Sequence, residues 1–130
     1  MNAVRPLADP GIPPQLLLGG RTLDLRLTRR AERALRDQRE ALEIEMELYF
    51  SCFLRKRVYF LSAPRDAVAR GALTPNVNVS FRAVTTRACV VGDVEGRPDL
   101  ERLPLKRAAA FMPRWISLDY RGRWSGEFGY

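Results

Sequence analysis

The 130-residue chain contains no histidine. That absence removes the commonest general base, the Ser–His and Cys–His nucleophile pairs and the commonest zinc ligand. Two cysteines, Cys52 and Cys89, are too few for a disulfide framework, and no CxxC pair stands at metal-finger spacing. Lysine is nearly missing too: only Lys56 and Lys106 could act as an amine base, and Lys56 lies between Arg55 and Arg57. Neither a GxSxG elbow nor a P-loop occurs, and no cofactor is expected. No apolar run reaches membrane-spanning length, so no transmembrane segment is expected. Pro6, Pro10, Pro13 and Pro14 interrupt any signal-peptide core. A cytoplasmic protein with reduced thiols is the expectation.

What is plentiful is arginine. The net charge is +7, and 20 of the 22 basic residues are Arg. The excess is unevenly placed: residues 1–50 balance eight arginines against eight acids, so the whole surplus lies in residues 51–130. A basic domain is drawn to polyanions such as nucleic acid, an anionic membrane or an acidic protein.

Residues 42 to 60 carry the clearest pattern. Leu42, Ile44, Met46, Leu48, Phe50, Cys52 and Leu54 share one parity; Glu43, Glu45, Glu47, Tyr49, Ser51, Phe53, Arg55 and Arg57 share the other. Side chains alternate across a strand, so this stretch predicts one apolar face and one charged face dotted with aromatic rings. Residues 42–48 are also good helix formers, but a helix would bring Glu45 into the apolar arc. Such a strand is too long to run flat, and a turn or bulge is expected near Leu54–Arg57. Cys52, by parity, belongs to the core as a small hydrophobe.

Elsewhere the proline-rich residues 1–14 predict a disordered tail, leaving residues 15–130 as one domain. Thr28 is placed to cap a helix over 29–41. Val77 to Ala83 alternates as a strand, residues 92–98 read as a loop, and 105–111 suit one helical turn. Trp115–Tyr120 and Trp124–Tyr130 flank Arg121-Gly122-Arg123. A three-residue loop with a left-handed glycine pairs Tyr120 with Trp124, Leu118 with Gly126 and Ile116 with Phe128. The expected fold is α+β: an antiparallel sheet of about four to six strands with the 29–41 helix packed on one face.

The leading function is a non-catalytic binding module for an anionic partner, either single-stranded nucleic acid or an acidic protein surface. Arg55, Lys56, Arg57, Lys106, Arg107, Arg114 and Arg123 supply charge; Tyr49, Phe53 and Trp115 supply rings for stacking. Two alternatives remain. The aromatic sheet face could be a homodimer interface of an assembly or accessory protein. Glu43, Glu45 and Glu47 could hold a divalent metal in a small hydrolase. Against the metal reading, Arg82 on a neighbouring strand could simply neutralise those carboxylates.

Overall fold

The computed structural model describes residues 11–86, 100–102 and 108–130. Among them are nine strands in two sheets and one regular helix, α1 (Arg29–Asp37). The first sheet runs β1 (Gln15–Leu18), β2 (Arg21–Leu27), β8 (Trp115–Tyr120), β9 (Trp124–Gly129). The second runs β4 (Leu54–Leu61), β3 (Leu42–Phe50), β6 (Val77–Thr86), β5 (Ala69–Thr74), with β7 (Leu100–Arg102) also paired to β6. Both sheets are mixed, because β2–β8 and β3–β6 are parallel while the remaining pairs are antiparallel.

This overturns the expected single antiparallel sheet covered by a helix. The reason lies in how little the helix can cover. It ends at Asp37 rather than residue 41, and only Ala31 and Leu35 are buried on it. A sheet whose inner face offers Ile44, Met46, Leu48, Val77, Val79, Phe81 and Ala83 needs a second apolar layer. That layer is the other sheet, which contributes Leu18, Leu23, Ile116, Leu118 and Phe128 to the same core. The Phe81 and Phe128 rings meet edge-on across the interface at 6.4 Å between centroids.

The sheet edges also approach each other. β4 lies against β9, where Phe60 stacks on Trp124, and β1 lies against β5. The second approach depends on Gly71: a Cβ there would stand 2.8 Å from the Leu17 carbonyl oxygen. The helix packs against β8 and β2. Thr28 caps it as expected, accepting from Ala31 N at 3.1 Å while its hydroxyl donates to Asp119 Oδ1 at 2.6 Å. That hydroxyl, followed by Arg30, holds the Asp119 carboxyl well below the usual carboxylate range.

The C-terminal hairpin has the expected register, with Tyr120 opposite Trp124, Leu118 opposite Gly126 and Ile116 opposite Phe128. Gly122 turns the chain at φ 78°, a left-handed conformation that glycine adopts without steric cost. Ile12 packs against the core and the Pro14 carbonyl accepts from Leu25 N at 2.9 Å, so part of the expected tail belongs to the packed domain.

Residues 42–50 form a strand, not a helix. The chain then turns at Ser51–Phe53, earlier than the expected Leu54–Arg57, and returns as β4. The earlier turn displaces Cys52. It is exposed at the turn rather than packed in the core, because parity counted along one strand does not survive a reversal. Nor is it a reduced thiol: Cys52 takes part in a disulfide. Cys89, the 92–98 loop and residues 103–107 lie outside the described residues.

Candidate functional site

The outer face of the second sheet is the one that sequence alternation marked as a working surface. Register places Glu43, Glu45 and Glu47 of β3 between Leu61, Tyr59 and Arg57 of β4 on one side and Asn78, Ser80 and Arg82 of β6 on the other. The glutamates are not solvated. Glu45 is 0 % exposed, and Glu43 and Glu47 are also buried.

Buried carboxylates need compensating charge, and three arginines supply it. Arg70 of β5 grips Glu43 with two parallel hydrogen bonds, Nε to Oε2 at 2.8 Å and Nη2 to Oε1 at 2.9 Å. Arg65, from the β4–β5 connection, does the same to Glu45, with Nε at 3.1 Å and a second, tight bond from Nη2. The Arg65 guanidinium also reaches Glu47 at 3.7 Å and lies 5.0 Å from the Tyr59 ring centre. Arg82 Nε stands 3.7 Å from Glu47, close enough for charge pairing but too far for a hydrogen bond. Every glutamate is thus matched by a guanidinium, and the face is internally neutralised. Arg82 was legible as a partner; Arg65 and Arg70 were not. The only signal for them was that three aligned carboxylates require cations from somewhere.

The exposed element is the hairpin that carries this face to its end. From Ser51 to Arg57 every residue is exposed, so the turn and the first residues of the edge strand β4 form an exposed arm at the end of the sheet, while Glu47 and Leu48 of the partner strand stay buried. Its tip is ordered by its own backbone. Ser51 N and Oγ both donate to the Phe53 carbonyl, at 3.1 and 2.9 Å, and Phe53 N donates to Ser51 Oγ at 3.2 Å. Phe53 at 70 % and Leu54 at 60 % exposure form an adjacent apolar pair at the apex. Arg55, Lys56 and Arg57 follow directly. Arg55 stands opposite Tyr49 and Arg57 opposite Glu47, on the glutamate face; Lys56 stands opposite Leu48, on the other. Phe50, at the root, packs edge-on against Phe111 with centroids 5.0 Å apart.

The expected binding residues are therefore not one surface. Tyr49, Phe53, Arg55, Lys56 and Arg57 belong to the arm, with Tyr49 half-buried at its base. Arg114 is exposed just before β8; its N–H donates to Gly129 O, next to Tyr130, whose hydroxyl donates to Phe111 O at 2.6 Å. This puts Arg114 at the arm's end of the molecule. Trp115 is half-buried on the outer face of the other sheet, with the Arg26 guanidinium 4.5 Å from its ring centre. Arg123 sits in the β8–β9 turn, beside Phe60 and Leu42. Since β3 spans Leu42 to Phe50, that turn is roughly 26 Å from the arm's root at ~3.3 Å per residue. Lys106 and Arg107 lie outside the described residues. Leu54 was missed because parity assigned it to the core.

Among the described residues, no group of three or more Cys, Asp or Glu side chains is placed to hold a metal ion, and no helix is long and apolar enough to cross a membrane. No protein-family model, curated protein or solved structure matches the chain.

Proposed function

We propose that this protein is a non-catalytic binding module that takes an anionic partner on the β3–β4 arm. The observation that carries the reading is the arm's make-up: an exposed Phe53–Leu54 apex backed by three exposed cations in succession, Arg55, Lys56 and Arg57. An ordered hairpin presents these groups with little backbone entropy left to lose on binding. Arg114 extends the basic surface at the same end. Trp115 and Arg123 are dropped from the site, since neither adjoins the arm. The glutamate ladder is a support beneath it: each carboxylate is already engaged by an arginine, which weighs against the metal-hydrolase alternative. The disulfide at Cys52 favours an oxidising compartment over the cytoplasm.

The test separates place from charge. Arg55→Glu/Arg57→Glu and Arg21→Glu/Arg33→Glu change the net charge equally, but only the first pair is on the arm. Elution from immobilised heparin, used as a generic polyanion, is expected at markedly lower salt for the arm pair and close to wild type for the other. Equal shifts would mean that binding follows net charge alone and would defeat the proposal.

A further inference from the structure

We infer that the partner of the arm is an anionic phospholipid bilayer, with the Phe53–Leu54 apex entering the headgroup–acyl boundary and Arg55, Lys56 and Arg57 meeting the phosphates. This rests on the arm being the binding surface, and it goes on to name what is bound.

Three observations select a bilayer over nucleic acid. The first is the state of the rings that could stack bases. Tyr59 is covered by the Arg65 guanidinium, and Trp115, on the other sheet, is covered by Arg26. Tyr49 is half-buried. Phe53 at the apex is the one ring left open on the arm, and a single ring does not make the succession of platforms on which bases stack. The second is the apex itself. Leu54 has no π-face, and two adjacent apolar side chains at the end of a rigid turn form a point, not a shelf. A point of this kind suits insertion to the ~5–10 Å depth at which interfacial segments bury their apolar groups.

The third is where the cations stand. Successive strand residues alternate sides, so Arg55 and Arg57 leave one face of the arm and Lys56 the other. At ~3.3 Å per residue they lie roughly 3–10 Å behind Leu54, and their long side chains can extend forward to the level of the apex. Cations placed directly behind an apolar apex match an anionic leaflet, where each basic residue near the surface adds to binding.

The full chain is tested by co-sedimentation with phosphatidylcholine vesicles, with and without phosphatidylserine, and in parallel by binding to a single-stranded oligonucleotide. Wild-type protein is expected on the phosphatidylserine vesicles and not on pure phosphatidylcholine, with binding weakened by salt. Phe53→Ser/Leu54→Ser should lower vesicle partition roughly a hundredfold, since two side chains lose apolar contact. Both positions are exposed, and an unchanged melting temperature verifies the fold of the variant. Phe53→Trp adds a direct readout: its emission should shift to the blue and be quenched by lipids brominated in the acyl chain.

Wild-type protein that ignores phosphatidylserine vesicles, or an apex pair that can be removed without effect, overturns the bilayer inference. If the oligonucleotide then binds and depends on Arg55 and Arg57, the anionic-partner reading survives with nucleic acid as its partner. If neither probe responds to the arm substitutions, both readings fall together.

Discussion

Arg65→Ala should destabilise the protein by more than removal of the carboxylate it serves. Glu45 is wholly buried, whereas the Arg65 side chain is 42 % exposed. Without Arg65, Glu45 loses two charge-assisted hydrogen bonds and its direct counter-ion; the guanidiniums of Arg70 and Arg82 are engaged with Glu43 and Glu47. Leaving a buried charge uncompensated typically costs ~3–5 kcal/mol. Because Arg65 is partly exposed, water enters where the guanidinium stood, and the cost falls to or just below the bottom of that range, about 2–3 kcal/mol. Glu45→Met removes the charge instead of stranding it and frees Arg65 to turn into solvent. That variant should lie within about 1 kcal/mol of wild type. In the double variant the penalty of Arg65→Ala should largely vanish, a coupling of about 2 kcal/mol. For a domain of this size the Arg65→Ala cost corresponds to roughly 8–12 °C in Tm. Urea unfolding of the four proteins, followed by tryptophan fluorescence, measures all three quantities. A cost for Arg65→Ala below that of Glu45→Met, or a double variant as unstable as Arg65→Ala, would show that Glu45 does not depend on Arg65.

Burial pushes the Tyr130 hydroxyl up to about 12. An unfolded tyrosine titrates near ~10, so this stabilising contribution is full below that pH and is lost as pH rises toward 12. Absorbance titration should show a late phase for Tyr130, and Tyr130→Phe should remove it. Asp119 behaves in the opposite sense. Its folded carboxyl is depressed, so its contribution is present above ~pH 4 and is lost as pH falls further. The stability gap between wild type and Asp119→Asn should therefore close on acidification; a gap that widens would refute the pairing with Thr28 and Arg30. Cys52, though exposed, should resist thiol-reactive dyes until a reductant is added, and rapid labelling of the native protein would contradict the disulfide.

The parts of this fold that were legible in the sequence are those fixed by neighbours along the chain. Gly122 between two alternating runs specifies the C-terminal hairpin down to its register. Alternation from Leu42 to Phe50 specifies a strand because every buried apolar side chain falls on one parity. What escaped is set by distant partners. Nothing local in Arg21–Leu27 announces that it will lie parallel to Trp115–Tyr120, about ninety residues further along the chain. The turn at Ser51–Phe53 has no glycine or proline; Ser51 builds it by bonding its own neighbour's backbone. Missing that turn carried the parity count past a reversal, which sent Cys52 and Leu54 to the core and hid half of the arm's apex. The charged face looked solvated because alternation reports which side a residue is on, not what covers it. Arg65 and Arg70 reach Glu45 and Glu43 from 20 and 27 residues away.

Amide chemical-shift mapping reads residue by residue whether the arm receives the anionic partner. A short heparin oligosaccharide serves as the polyanion. The largest shifts are expected at residues 51–58, with smaller ones around Arg114. Shifts concentrated instead on the arginine-rich helix Arg29–Asp37 or the Arg121–Arg123 turn, with residues 51–58 unmoved, would contradict binding at the arm.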